Sequence, residues 1–467
     1  MFMTIIEKKQ GACPTSTLPF YQRLRSFSIA GVCCFVPLSI AFTDICLGVL
    51  LATYVFEMMA TRTIAFPFRA PFHRALLTYI IVTIALAPFA VNMRLGFTSL
   101  TNLADIGIFF LLSLAFQEKP QIKRAILILM VSITLCAGYG IIQHYLEVDL
   151  FRLNRPISFL KHLNDDLKAP VRIAGFSSYM TFAGQLGMAL PVVAAQALCA
   201  ANRRSRIRWL LAFFINGIAL VWTYTRSAWL GALVALIVIG FLKKGKQVFI
   251  PVVFLFMIFA GLVFVQQHRE KLREEQVERY RQNWTEETSS GAKNLPNEIV
   301  ASTPPTSRFA DRVASIFSTK ENQERIYTWI SSLKMFRDHL LTGIGHGNYS
   351  TVCQTYRIPY GDFPFTSRAH AHNNLLQAAV VGGLPLLICA VYLWSVLFRS
   401  LYRAYQENKR AETGMQAVAL GVFGSAIAFF VQGMFEYNFG DSEVIVMLWL
   451  LVVCALHSRD SVLPKFS

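Results

Sequence analysis

The chain is 467 residues long, 54% hydrophobic and only 15% charged, with a mean hydropathy of +0.46. A soluble globular chain carries about 25% charged residues, so a soluble domain is excluded. The formal net charge of +17 would suggest nucleic acid in a soluble protein, but here the basic clusters fall between long apolar runs, as they do in the cytoplasmic loops of membrane proteins.

An all-α polytopic membrane protein is expected, each span needing about 20 apolar residues. Twelve spans are read in chain order: 27–42, 43–59, 75–91, 99–116, 125–146, 179–200, 209–223, 227–242, 248–266, 374–398, 415–435 and 443–457. The first comes after Lys8, Lys9, Arg23 and Arg25 without a convincing cleavage site and is read as an uncleaved span behind a cytoplasmic tail, 1–26. Every even-numbered exit is basic. Arg62, Arg69 and Arg74 follow span two; Lys119, Lys123 and Arg124 follow span four; Arg203, Arg204, Arg206 and Arg208 follow span six. Lys243, Lys244 and Lys246 follow span eight, and Arg399, Arg403, Lys409 and Arg410 follow span ten. Both termini are therefore expected in the cytoplasm.

The outer side then holds a large loop, 267–373, between spans 1–9 (27–266) and spans 10–12 (374–457). It opens on the charged stretch "QQHREKLREEQVERYRQ", passes through the Ser/Thr/Pro-rich "VASTPPTSRF", and reaches "NQERIYTWISSLKMFRDHLLTGIGHGNY". There Ile326, Trp329, Ile330, Leu333 and Phe336 recur at helical spacing, which predicts an amphipathic helix lying on the membrane surface. "GIGHGN" ends it, and is a weak candidate for an anion-binding nest of backbone N–H groups.

Seven of the nine cysteines (Cys33, Cys34, Cys46, Cys136, Cys199, Cys389 and Cys454) lie in apolar runs, where cysteine acts as a small hydrophobe. Cys13 and Cys353 stand alone, and neither a disulfide framework nor a zinc spacing is read. The sequence has no Walker loop. No acidic pair with metal-ligand spacing stands out on the outer face; Asp441 and Glu443, after Glu436, come nearest.

The outer face instead gathers arginine and histidine. "TYTRSAW" places Tyr224 and Arg226 in the turn between spans seven and eight; "VRIAGF" places Arg172 before span six; "QERIYTW" places Arg325 on the amphipathic helix. "SRAHAHNNLL" places Arg368, His370, His372 and Asn373 where the large loop re-enters as span ten. Interfacial snorkelling or a solvated helix face would account for each arginine singly. Guanidinium suits a diphosphate because its planar fork makes bidentate contacts with phosphate oxygens. A neutral histidine, with an unperturbed pKa of about 6.5, can take a proton from an attacking hydroxyl.

Four stretches, "TYTRSAWLG", "RIYTW…MFRDHLLTGIGHGNY", "HAHNNLLQAAVVGGLP" and "FEYNFGDSEVIVMLW", stand in an order that resembles the bacterial O-antigen ligase and O-antigen polymerase family of membrane glycosyltransferases. The resembling region runs from about 205 to 450. The resemblance implies an undecaprenyl-diphosphate-linked glycan donor, a hydroxyl acceptor such as lipid A–core, and transfer on the periplasmic face of the inner membrane without metal, nucleotide sugar or other cofactor. It implies His372 as catalytic residue with Asn373 beside it, and Arg226 and, less firmly, Arg325 as diphosphate-binding; Arg172 is a candidate without a firm counterpart. Arg368, His370 and Tyr224 are expected in support. One departure is Leu386, where the family often has a second glycine three residues past Gly383; looser helix packing is expected there. A polymerase acting on a second lipid-linked repeat shares the motifs. A capsule or exopolysaccharide, or protein O-glycosylation, would use other acceptors. A secondary transporter or flippase fits the span number, but would place ionisable groups near the midplane. A membrane scaffold would leave the outer motifs without a purpose.

Overall fold

A computed structural model describes residues 18–61, 70–116, 118–146, 148–151, 155–156, 172–243, 319–356, 369–411 and 414–458. Apart from one two-residue strand pairing, Val148–Asp149 with Arg155–Pro156, its regular structure is helical. The principal helices are α1 (Leu18–Phe35), α2 (Ile40–Thr61), α3 (Pro71–Leu86), α4 (Met93–Thr98), α5 (Leu103–Ala115), α6 (Lys119–Leu146), α7 (Tyr179–Leu198), α8 (Arg203–Trp222) and α9 (Arg226–Lys243). After these come α10 (Thr319–Asp338), α11 (Tyr349–Val352), α12 (Asn374–Arg410), α13 (Gln416–Gln432) and α14 (Ser442–Leu456).

Eight segments among the described residues are long and apolar enough to cross a membrane, the α4–α5 run counting as one; α13 and α14 are shorter apolar helices. The predicted span 248–266 lies outside the described residues, as do the charged and Ser/Thr/Pro-rich parts of the large loop. Several predicted boundaries shift, and proline accounts for two of the shifts. Pro37 separates α1 from α2 within the single predicted run 27–42, because the residue before proline is steered out of the helical region. Pro71 begins α3 at a first-turn position, where its missing N–H costs nothing.

The centre of the bundle is α7, which packs on α8, α9 and α13. Small residues bring these helices close. A methyl group at Gly231 of α9 would collide with the Ala428 carbonyl of α13, and one at Gly421 of α13 would lie 2.7 Å from the Val192 Cα of α7. The loops expected to be cytoplasmic gather at one end: Lys123, at the start of α6, meets Gly414 beyond the end of α12. At the opposite end Thr181 Oγ1 donates to Asp441 Oδ2 (2.6 Å), and Ser442 Oγ donates to Asp105 Oδ2 (2.6 Å), so α5, α7 and α14 are tied together.

Helix α12 is broken. Gly383 has φ +63° and ψ −161°, and Pro385 comes two residues later. The break frees backbone groups that lipid could not satisfy, and the "TGIGHG" loop satisfies them. The N–H of Ile344 donates to the Val380 carbonyl (2.9 Å) and that of Gly345 to the Val381 carbonyl (2.9 Å); the N–H of Leu384 donates to the Leu340 carbonyl (2.7 Å). Gly343, with φ +67°, lies so close to the Val381–Gly382 backbone that no side chain fits. In "GIGHGN" the N–H groups of 343, 344 and 345 serve the carbonyls of His339, Val380 and Val381, so these three are not open to an anion. The far side of the loop is held by Val91 N–H on the Ile344 carbonyl (3.0 Å) and by Asn92 N–H on Asn348 Oδ1 (3.0 Å). Nor is packing loosened at Leu386. Its fully buried side chain fills the space that a side chain at Gly382 would need.

Helix α10 forms as the periodicity predicts, and it docks on the protein through its other face. Thr328, Ser331, Ser332 and Met335 are buried, with Ser332 Oγ 2.6 Å from the Tyr349 hydroxyl, while Ile326, Ile330 and Leu333 are exposed. Small hydroxyl residues allow close docking, and Ser332 satisfies its hydroxyl on the Thr328 carbonyl and the Tyr349 hydroxyl. The apolar stripe is left for an apolar surrounding.

Gly383→Ala should destabilise the protein by at least about 2 kcal/mol, since the new Cβ would sit 2.6 Å from the Leu340 carbonyl oxygen at an unfavourable φ. Thermal unfolding of the detergent-solubilised protein checks this; Gly48→Ala, with open space around it, should be close to neutral.

Candidate active site at the outer end of the bundle

The segment before α12 is shaped by its own side chains. Asn373 caps the helix, its Oδ1 accepting from Leu376 N–H (2.9 Å) while its Nδ2 donates to the Met434 carbonyl (3.0 Å). Asn374 N–H donates to the Gly433 carbonyl (2.7 Å), and its side chain donates to Asn438 Oδ1 (2.7 Å). Gln377 Oε1 accepts the N–H of Ala371 (2.8 Å). These bonds lock the re-entry segment onto the turn after α13. Between them His372 is forced into the left-handed region, φ +50°. Only one other non-glycine residue among the described ones has positive φ, Tyr224 at +52°. Such strain persists only where surrounding contacts impose it, and it clusters at functional sites.

The consequence of this locking is a three-residue cluster. His372 Nδ1 lies 2.8 Å from Glu436 Oε1, and Arg325 Nη2 donates to Glu436 Oε2 at 3.3 Å. The histidine comes from the entrance to α12, the arginine from α10, and the carboxylate from the turn between α13 and α14. Glu436 is buried, and burial pushes its pKa up. The hydrogen bond from His372, with the charges of His372, Arg325 and His370, more than reverses this and holds it below the usual glutamate range. His370 stacks edge-on to His372, ring centroids 4.3 Å apart, and lies 5.4 Å from the Tyr437 ring. Its Nδ1 accepts the backbone N–H of His372 (3.4 Å), so its evident part is support.

Arg172 and Arg226 form a second group at this end. Ile173 N–H donates to the Trp222 carbonyl (3.2 Å), which ties the segment of Arg172 to the turn that carries Tyr224 and Arg226. The Arg172 guanidinium lies 4.8 Å over the Tyr179 ring at the start of α7, two residues before Thr181, which holds Asp441. Arg368 lies outside the described residues. Glu436 is the member to which the sequence assigned no part. It stood in view within "FEYNFGDSEV", but nothing in its spacing indicates that it lies between His372 and Arg325.

His370, His372 and Glu436 offer one ligand atom each, all within 4.8 Å of one another, a donor set that could hold a metal ion. The local charge disfavours this. One carboxylate oxygen already faces a guanidinium, and the other is in direct hydrogen-bond contact with the histidine. A divalent cation would have to displace both contacts.

The lowered pKa of Glu436 sets a sign. A carboxylate with a depressed folded pKa adds stability that is fully present above its unfolded pKa, about 4.3, and is lost as pH falls through the folded value. Thermal unfolding measured from pH 6 down to pH 3 should therefore show the gap between wild type and Glu436→Gln narrowing as pH falls.

Residues 210–391 match the family model described as O-antigen ligase. No match is found among curated proteins. The matched stretch carries Arg226, Arg325, His370 and His372, whereas Glu436 lies beyond it and Arg172 before it. Residues 210–391, with the motifs they carry, are thus similar to the O-antigen ligase family, and the apolar helices around them suit a membrane protein of that kind.

Proposed function

We propose that this protein is an O-antigen ligase-like glycosyltransferase. It moves a glycan from undecaprenyl diphosphate to a hydroxyl of lipid A–core, at the periplasmic face of the bacterial inner membrane. The observation that carries the reading is the meeting of His372 and Arg325 on Glu436. A histidine and an arginine suited to base and phosphate-binding roles, brought from separate segments, share one buried carboxylate at one end of a membrane bundle. The basic helix ends at the other side support the orientation, since they suit the cytoplasm.

In the proposed reaction Glu436 accepts the Nδ1–H of His372, which fixes the tautomer and leaves Nε2 as the base. Nε2 takes the proton of the acceptor hydroxyl as its oxygen attacks the anomeric carbon of the donor sugar. The bond from that carbon to the diphosphate oxygen breaks on the opposite face, so the configuration inverts. The electron pair leaves with undecaprenyl diphosphate. Arg226 and Arg325, with Arg172, stabilise the charge that grows on this group, and the Glu436 carboxylate stabilises the imidazolium that forms. The arginines supply the positive charge that a divalent cation would otherwise bring, so the proposal is metal-independent. A polymerase would run the same chemistry on a second lipid-linked repeat. A transporter or flippase is disfavoured by the gathering of this polar cluster at one end of the bundle.

His372→Asn should abolish transfer while the protein still inserts and folds, because asparagine tolerates the left-handed backbone that position 372 requires. Arg226→Ala should lower the rate on the order of a hundredfold to a thousandfold. Polysaccharide analysis of a deletion strain complemented with each variant checks both. Long glycan held on its lipid carrier beside bare core marks a ligase; at most single repeats on the core mark a polymerase. Transfer by the purified protein should survive EDTA.

A further inference from the structure

Trp329 lies four residues after Arg325 on α10, so the two side chains share one face, one turn apart. Both reach the turn after α13: Arg325 touches Glu436, and the Trp329 ring lies 6.3 Å from that of Phe435. The indole Nε1 is shut off from solvent and has no hydrogen-bond partner among the described residues. Indole N–H can only donate, and a buried donor left unpaired costs stability. Buried polar atoms of native proteins are rarely left so, and an orphan beside a substrate site calls for an explanation. The helical rise separates the two residues by about 6 Å along the axis. That is the order of the distance from a phosphate to the hydroxyls of the sugar it carries.

The geometry points to Trp329 as a donor-binding residue whose indole N–H bonds an oxygen of the sugar attached to the diphosphate, while Arg325 holds the diphosphate itself. The inference rests on the donor chemistry proposed above and adds a sugar subsite to it. It also accounts for the orphan: the indole N–H, closed to solvent in the substrate-free protein, is uncovered and paired as the donor enters. A flat aromatic ring beside a pyranose fits as well, for its apolar face can cover the C–H face of the sugar.

Trp329→Phe keeps the ring and removes only the donor. Removing an unmade donor should leave the thermal midpoint of the substrate-free protein unchanged or raise it. It should lower kcat/KM for the glycan-bearing lipid donor about tenfold. The rise in thermal midpoint caused by that donor should shrink, while the rise caused by undecaprenyl diphosphate without a glycan should match wild type. Three results would each overturn the inference: unchanged kcat/KM, an equal loss of stabilisation by both lipids, or a lowered midpoint without substrate, which would mean that the N–H has a structural partner. An inactive His372→Asn beside an unimpaired Trp329→Phe would remove the sugar subsite and leave the transferase reading in place. An active His372→Asn would remove the transferase reading itself.

Discussion

A polar backbone group inside a membrane protein must find a partner within the protein, and that constraint governs the break in α12. Gly383 and Pro385 interrupt the helix. The carbonyls of Val380 and Val381 are then taken by the N–H groups of Ile344 and Gly345. This fixes the segment after α10 to a helix of the bundle, and Asn348 fixes the same segment to the residues before α4. With its C-terminal end pinned in this way, α10 lies alongside the bundle and Arg325 reaches Glu436. The cluster at Glu436 therefore depends on a backbone defect that lies several residues inside the helix.

The cluster at Glu436 is built on a similar economy. Asn373, Asn374 and Gln377 each use a side-chain amide to join the entrance of α12 to the turn after α13 or to itself. Satisfying these groups forces His372 into a strained backbone and presents its ring to the carboxylate. A carboxylate facing both a histidine and an arginine keeps its charge in spite of burial. Carboxylate, imidazole and guanidinium thus hold one another in the substrate-free protein, which in the proposed reaction is the electrostatic preorganisation of the site.

The sequence and the structure part company at places with a common cause. Helical spacing along Ile326, Ile330 and Leu333 foretold α10, but not that Ser331, Ser332 and Met335 would be the buried face. In a soluble protein an apolar stripe points inward; beside a membrane it can point outward. The glycines of "GIGHGN" foretold positive φ, and Gly343, Gly345 and Gly347 have it. What their N–H groups bind depends on α12, dozens of residues away.

By itself the sequence determined the class of the protein, its apolar helices, the alternation of basic ends, and the residue types that could meet a diphosphate and a hydroxyl. These are local properties of composition and period, so they survive without knowledge of the fold. Only the tertiary structure decided that His372 and Arg325 share Glu436, that Arg172 is tied to the turn of Arg226, and that the indole N–H of Trp329 has no partner among the described residues. Each of these is a contact between segments far apart in the chain, and such contacts are set by which backbone and side-chain groups must find partners once water is excluded.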